Sequence, residues 1–280
     1  MPEARVRFWG ARGSIPTPGK EYARFGGNTP CVQLTGEEGT ELILDAGTGI
    51  RAAGAALAAN GRRVHVLLTH LHLDHIQGLL FFEPFFDPEA EITVWGPPGG
   101  HTLRERLARY LSNPLSPIEI RELPAQVRFD SAPAGPWRLG EFEVRGALVA
   151  HRGTTLGYRV EIGDASLCYL PDHEPGLGTD LRSAPADWVS GLDLARDADV
   201  LIHDGQYFDD EYGDHLGWGH SGLADALAFA ARADAERTFL FHHDPGHDDA
   251  ALDRMAAAAR EAAAVAVELA KDGDEVTLGR

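Results

Sequence analysis

The chain has 280 residues, of which 44% are hydrophobic and 24% are charged, a composition typical of a folded globular protein and not of a disordered or fibrous one. Its 43 acidic and 25 basic residues give a formal charge of −18, a field that repels long polyanions, so we expect long nucleic acid not to be a partner. No apolar run approaches the ~20 residues that span a bilayer, and the start of the sequence lacks a signal-peptide pattern, which predicts a cytoplasmic protein without membrane contact.

The first part of the sequence predicts several strands and then alternating helices and strands. Short runs of β-type residues bounded by Gly, Pro or Asn predict strands at residues 5–10, 29–34 and 41–47. An alanine-rich segment with a glycine stop predicts a helix at 49–61. The near-continuous apolar run at 62–70 then predicts a strand that is buried on both faces.

The middle of the sequence contains one strand and helix and then a less regular segment. The pattern predicts a strand at 91–96 and a helix at 101–111. Residues 112–137 carry several prolines, so we expect an irregular loop there, placed where it could flank a site.

The second half repeats the order of strands followed by strand and helix units. Three further strands are expected at 137–151, 155–163 and 165–173. The remaining pattern predicts, in order, a strand within 197–207, an amphipathic helix at 221–235, a strand at 237–243 and a long closing helix at 249–270.

Two packed sheets with helices outside them satisfy this order, because each sheet needs both of its faces covered. No linker-like stretch separates the halves, so we expect an α/β protein whose residues 1–280 form a single domain. Cys31 and Cys168 are too few for a disulfide framework, and both are expected to be buried thiols in a reducing compartment.

Three histidines and an aspartate crowd into the stretch THLHLDH, directly after a strand expected to be buried. His70 and His72 are one residue apart, so in an extended strand end their side chains point to the same side. Asp74 and His75 fall in the turn that begins the next helix. Imidazoles and a carboxylate are good ligands for zinc or another borderline divalent ion. Four ligands from one short loop favour two metal ions over a single tetrahedral site.

Two ions need further ligands, and candidates end apolar strands elsewhere in the sequence. His151 follows GALVA, Asp172 follows LCYLP, and His242 follows RTFLF. Asp172 is the natural bridge between two ions because a carboxylate has two oxygens. His243 stays the alternative to His242, because neighbours in a strand point to opposite faces and only one is expected to face the metals.

THLHLDH is the HxHxDH signature of the metallo-β-lactamase fold, and with LILDAGTG ahead of it the chain resembles that superfamily over nearly its whole length. The resemblance implies a four-layered αββα sandwich, which agrees with the two sheets and outer helices expected from the strand and helix order. It also implies a first metal held by His70, His72 and His151, a second held by Asp74, His75 and His242, and a bridging Asp172.

The sequence around the last ligand is similar to the ribonuclease Z-like phosphodiesterase branch of that superfamily. LIHDGQY, GWGHSGLADALAFA and FLFHHDPGH give an acidic residue, a later His-Ser, a helix and a ligand histidine in that order. The resemblance implies that Asp204 holds His220, which protonates a leaving alkoxide. With Asp74, these two are the candidate catalytic residues. The alternative for GHS is an N-capping turn in which Ser221 is the cap.

The expected activity is hydrolysis of small phosphodiesters, such as cyclic nucleotides, by a hydroxide bound to two divalent metal ions. We expect zinc, although His and Asp sites also accept manganese and iron. The acidity of the chain, and the absence of the long Gly/Pro-rich arm of tRNA-processing enzymes, favour a small-molecule substrate over tRNA. The branch also implies a homodimer.

Two other functions use the same residues. A glyoxalase-type hydrolase of a thioester, lactone or lactam would share the metal ligands, but its leaving group needs less help, so His220 would matter little. A non-enzymatic metal-binding or partner-binding module is the third hypothesis, and the complete set of His and Asp ligands argues against it.

Overall fold

The computed structural model describes residues 3–57 and 63–279. The elements of the first half are β1 (Ala4–Gly10), β2 (Cys31–Gly36), β3 (Glu41–Leu44), α1 (Ile50–Leu57), β4 (Arg63–Leu67), α2 (Leu73–Ile76), β5 (Glu91–Gly96), α3 (Leu103–Leu107) and β6 (Gln126–Ser131). Those of the second half are β7 (Trp137–Leu139), β8 (Phe142–Leu148), β9 (Leu156–Ile162), β10 (Ala165–Leu170), α4 (Leu192–Ala195), β11 (Val200–Asp204), α5 (Asp209–Tyr212), α6 (Leu223–Ala233), β12 (Arg237–Phe241), α7 (Asp249–Ala262), β13 (Ala266–Leu269) and β14 (Glu275–Leu278).

The strands form two seven-stranded mixed sheets. The first has the order β14-β1-β2-β3-β4-β5-β6, and the second has the order β13-β12-β11-β10-β9-β8-β7. Strands β3 to β6 are parallel to one another, and so are β10 to β13. Because the carboxyl ends of parallel strands meet at the same edge of a sheet, residues that follow these strands are brought together there.

The two sheets pack face to face over a core of aromatic and branched side chains. Phe8 on β1 faces the second sheet, with its ring centroid 5.1 Å from that of Phe239 and 6.2 Å from that of Phe241. Tyr158 on β9 is fully buried in the same layer, and its hydroxyl donates to the carbonyl oxygen of Leu68 over 2.8 Å. This hydrogen bond joins the second sheet to the start of the histidine-rich loop.

Helices cover the outer face of each sheet. Buried residues of α1 and α3, among them Ile50 and Leu103, pack on the first sheet. Phe229 of α6 and Met255 of α7 belong to the clusters that cover the second sheet. The αββα arrangement expected from the sequence is therefore confirmed.

The expected closing helix at 249–270 is wrong in its second half. Helix α7 ends at Ala262, Ala263 takes an extended conformation, and residues 266–269 form β13 with alternating exposure and burial. Val267 pairs with Thr238 in a parallel ladder. Burial of every second side chain, together with strand pairing at the sheet edge, outweighs the helix propensity of the alanine-rich segment.

Besides β13, strands β6 and β14 were not expected from the sequence. Part of the segment predicted to be an irregular loop, 112–137, is strand β6, which pairs with β5 so that Val127 lies opposite Ile92. Prolines flank this strand in the sequence, and it lies at the edge of the sheet with little burial. The alternation of apolar and polar residues along it is therefore too short to stand out from the surrounding loop. Strand β14 pairs antiparallel with β1, with Val276 opposite Val6. The ends of the predicted helix and strand at residues 58–62 lie outside the described residues.

Among the described residues, no helix combines the length and apolar character that a membrane crossing needs. The two cysteines are buried as expected, and burial raises the pKa of both thiols, to about 12 for Cys168.

Replacement of Phe8 tests the packing between the sheets. Phe8→Ala removes a fully buried ring, so we expect the free energy of unfolding to fall by about 3–5 kcal/mol, measured by urea denaturation. Phe86→Ala, at a ring that is already 41% exposed, is the matched control and should change stability little. Equal losses in the two variants would contradict this account of the core.

Candidate metal centre and catalytic site

The candidate site lies where parallel strands of both sheets end. Asp45 follows β3, and the loop at 68–75 follows β4 in the first sheet. Asp172 and His242 follow β10 and β12 in the second sheet. The topology thus brings to one place side chains that are far apart in the sequence.

The first group of candidate ligands consists of His70, His72, His151 and Asp172. One potential ligand atom from each lies within 4.8 Å of those of the other three. His151 Nε2 is 3.3 Å from His72 Nδ1 and 3.6 Å from Asp172 Oδ2, and His70 Nε2 is 3.7 Å from the same carboxylate oxygen. The sequence predicted this group, and the structure brings its members together.

The second group consists of Asp74, His75 and His242. His242 Nε2 lies 3.2 Å from Asp74 Oδ2, and His75 Nε2 lies 3.4 Å from the same oxygen. Asp172 reaches this group too, with Oδ1 3.0 Å from His75 Nε2 and Oδ2 3.3 Å from His242 Nε2. Its carboxylate therefore touches both groups, as a bridging ligand would.

The unpaired atoms of the cluster fit divalent metal ions. Among the described residues, the buried atoms His70 Nε2, His75 Nε2 and Asp172 Oδ1 make no hydrogen bond of acceptable geometry, although the last two lie 3.0 Å apart. Burial keeps the pKa of His70 well below its usual range, which favours the neutral imidazole that can donate a lone pair to a metal ion. Burial also lowers the pKa of His75, but the charges of Asp172, Asp74 and Asp45 outweigh it and hold that pKa well above the usual value. The surrounding carboxylates therefore favour positive charge at this point, which suits a bound cation.

Asp45 orients the histidine-rich loop, a role that we did not predict for it. Its Oδ2 lies 2.9 Å from His75 Nδ1, and its carboxylate accepts hydrogen bonds from the Thr69 backbone and hydroxyl and from the Tyr169 hydroxyl. A carboxylate on the far nitrogen fixes the orientation of a metal-binding imidazole and makes it a stronger ligand. The sequence feature that could have indicated this role is the LILDAGTG turn, which contains Asp45.

His242, and not His243, faces the cluster. His243 turns away, and its Nε2 lies 2.8 Å from the carbonyl oxygen of Ala270, where burial lowers the pKa to about 3. His242 has a φ of 61° and Asp45 one of 60°, in the left-handed region that non-glycine residues rarely adopt. Such backbone strain concentrates at functional sites, where the surrounding structure maintains it.

His220 lies beside the second group and is paired with Asp204. Its Nδ1 is 2.7 Å from Asp204 Oδ2, and its ring stacks on that of His242 with centroids 4.8 Å apart. Burial alone lowers the pKa of His220, but Asp204, with smaller contributions from Asp172 and Asp74, raises it to about 9. The Asp204 carboxylate therefore favours the imidazolium form, which is the form that can act as an acid.

Asp204 is fully buried and bound on both oxygens. Besides the His220 contact, Oδ2 accepts from the His173 backbone N–H, and Oδ1 accepts from the backbone N–H groups of Gln206 and Ser221. Ser221 is not the N-cap of α6: its hydroxyl donates to the carbonyl oxygen of His173, and Gly222 is the N-cap residue. The capping interpretation of GHS is therefore wrong.

Glu174 fixes the loop that presents His220, and sequence reasoning missed it. The buried carboxylate accepts hydrogen bonds of 2.8 Å from the backbone N–H groups of Gly217 and Gly219. The carbonyl oxygen of Gly219 lies 2.7 Å from His151 Nδ1. Glu174 thus links the His220 loop to a candidate ligand of the first group, and its only signal was its place two residues after Asp172.

Known proteins resemble the chain in sequence and in fold. Ribonuclease Z of Geobacillus kaustophilus is 28% identical over 264 residues, which cover 82% of this chain and 86% of the relative. The short form of human tRNase Z has a TM-score of 0.67 and 21% identity, and the match covers 99% of this chain and 100% of that one. A diphosphatase of the PhnP family has a TM-score of 0.70 and 19% identity, covering 99% and 98% of the two chains. The expected resemblance to the ribonuclease Z-like branch is confirmed.

The expectation that a small molecule, and not long nucleic acid, is the partner is wrong. Relatives named ribonuclease Z align with most of the chain, so RNA is not excluded. The formal charge of −18 is a sum over all residues, whereas a phosphate responds to the charges around it, and divalent ions at the site would make those charges more positive.

Replacement of Asp45 tests its support of the metal ligands. In Asp45→Asn the amide cannot supply the negative charge beside His75 Nδ1, so we expect metal affinity to fall roughly 10- to 100-fold, measured by competition with a chromophoric chelator. Asp164→Asn, at an exposed turn position, is the matched control. If the two variants bound metal equally well, Asp45 would not have this role.

The family model of the beta-lactamase superfamily domain matches residues 40–243, which is well over half of the chain. The matched segment contains every candidate metal ligand, and both residues of the His220–Asp204 pair. The chain therefore belongs to the beta-lactamase superfamily and is a metal-dependent hydrolase, with divalent metal ions as cofactors.

Proposed function

We propose that the chain hydrolyses phosphodiesters. In this proposal His220 is the proton donor, Asp204 positions it, and two divalent metal ions are held by Asp74 and by the other candidate ligands, namely His70, His72, His75, His151, Asp172 and His242. The observation that carries the proposal is the 2.7 Å contact between His220 and Asp204 at the edge of the cluster.

The chemistry of the leaving group explains the need for this pair. Divalent ions held by the cluster would polarise the phosphoryl group and lower the pKa of water. As the oxygen of water bonds to phosphorus, the bond from phosphorus to the leaving alkoxide breaks, and that alkoxide needs a proton. His220 binds Asp204 through Nδ1, so Nε2 is the atom that donates the proton, and one proton of the attacking water restores the acid.

Several substrates fit this proposal. Cyclic nucleotides are proposed as small substrates, because their leaving groups are alkoxides that need a proton. RNA is proposed as well, because the relatives that align with the chain are named ribonuclease Z. Thioesters and lactams would not need the His220–Asp204 pair, and they serve as the contrasting substrate class.

Replacement of His220 separates these classes. In His220→Ala we expect turnover of 2′,3′-cyclic nucleotides to fall by ~10²–10⁴-fold, the usual contribution of a general acid. Turnover of bis-p-nitrophenyl phosphate should fall much less, because p-nitrophenolate leaves without a proton. Asp204→Asn should show the same order of effects. The measurements are kcat and KM at equal metal content, with the exposed His101→Ala as the control. Equal losses on both diesters, or intact turnover, would remove the role of His220.

The number and identity of the metal ions are also part of the proposal. We propose two ions per chain, with zinc as the first choice and manganese or iron as alternatives, since His and Asp ligands accept all three. The two ligand groups joined by Asp172 support the number.

Metal removal tests that number. We expect a strong chelator to abolish hydrolysis, and elemental analysis of the reloaded protein to find two ions per chain. Asp172→Asn should lower the affinity for both ions, because the bridge contacts both ligand groups. Loss of only one ion in that variant would contradict the bridging role.

Two broader expectations also stay proposals. We propose that residues 1–280 form one domain, and the pairing of β14 with β1 supports it. The cytoplasmic location predicted from the sequence stays a prediction.

A further inference from the structure

A cavity of about 320 Å³ opens beside the histidine-rich loop. Its wall includes Leu73, which lies between His72 and Asp74 in the sequence. The cavity is therefore next to the candidate metal centre without being part of it. Its volume is within the roughly 300–1,000 Å³ range of small-ligand pockets. The side chains that form it are Thr48, Arg51, Leu73, Gln77, Phe81 and Tyr110.

Two large apolar side chains of this wall are exposed to solvent. Phe81 is 61% exposed and Leu73 is 58% exposed, whereas Phe82 and Phe85 in the same aromatic stretch are completely buried. The rings of Phe82 and Phe85 therefore pack in the core, whereas the ring of Phe81 is accessible to a ligand. An exposed aromatic face beside a catalytic centre is suited to stacking against a planar group.

Two polar groups of the wall, the Arg51 guanidinium and the Gln77 amide oxygen, are available to a ligand. Within residues 3–57 and 63–279, Arg51 makes no side-chain hydrogen bond or ion pair, in a chain that carries far more acidic than basic residues. Gln77 donates its side-chain amide to Thr29 over 3.0 Å, and within the same described ranges its Oε1 has no hydrogen-bond partner. The guanidinium suits a phosphate, and the amide oxygen suits an amino group on the edge of a base.

The cavity and the proposed proton donor belong to different halves of the fold. Every wall residue lies between β3 and β6, in the half built on the first sheet. His220 and Asp204 come from the region of β11 and α6, in the half built on the second sheet. In the proposed mechanism the leaving group faces His220, on the second sheet's half, and the substituent that stays on phosphorus is then left to the first sheet's half, where the cavity lies.

We propose that this cavity binds the retained nucleoside of a nucleoside 5′-phosphodiester. The base stacks on Phe81 beside Leu73, and Arg51 contacts a phosphate oxygen of the same nucleotide. This inference rests on the proposed phosphodiesterase function and adds to it the class of substrate and a residue that selects it.

Equilibrium binding tests the cavity independently of turnover. Isothermal titration of the metal-loaded protein should show tighter binding of AMP than of ribose 5-phosphate, which has the phosphate but no base. Phe81→Ala should weaken AMP binding roughly 5- to 150-fold, the range that base stacking supports, and should leave ribose 5-phosphate unchanged. Arg51→Ala should weaken both ligands. The controls are Phe86→Ala and the exposed Arg254→Ala, which lie outside the cavity wall.

Turnover of two diesters with the same leaving group provides the second test. The p-nitrophenyl ester of thymidine 5′-phosphate should have a higher kcat/KM than methyl p-nitrophenyl phosphate, and Phe81→Ala should remove that preference through KM. Equal affinity for AMP and ribose 5-phosphate, with equal turnover of the two diesters, would overturn the proposed cavity role and leave the proposed function intact. Base-dependent AMP binding without turnover of any diester would support the cavity and overturn the proposed function.

Discussion

The carboxylate of Asp172 lies within 4 Å of imidazoles from both ligand groups, and the rest of the site is arranged around that contact. Several buried carboxylates and imidazoles at one point are stable only if positive charge accompanies them and if each ring is held in a fixed orientation. The parallel strands of two sheets bring the groups together, and Asp45 and Glu174 hold the loops that carry them. The strained backbone at His242 fits the same requirement, because it aims one ring at Asp172.

Much of this site could be predicted from sequence because the informative residues are local. THLHLDH places four candidate ligands within six positions, and the other three follow apolar strands whose pattern is easy to recognise. Asp45 and Glu174 could not be assigned in this way, since their roles depend on which loops the tertiary fold brings against them. The strand at 266–269 was hidden for a similar reason: an alanine-rich segment has strong helix propensity, and only contact with β12 reverses it.

Composition was a weaker guide than local pattern. The sum of charges over the chain argued against long nucleic acid as a partner, although relatives that align with most of the sequence are named ribonuclease Z. Arg51 borders the cavity beside the histidine-rich loop, which illustrates how a strongly acidic chain can still present positive charge near a site. Local placement of charge, which depends on the fold, decides which anions a protein can hold.

The pairing of β14 with β1 has a consequence for biosynthesis. Strand β14 covers one edge of β1, yet all the other strands and helices of the fold lie between the two in the sequence, so β1 is made well before this partner. Until then, β1 presents unpaired backbone groups that can template pairing with another chain. A nascent chain that lacks β14 therefore exposes an unpaired edge of the first sheet, at which a second chain can add a strand.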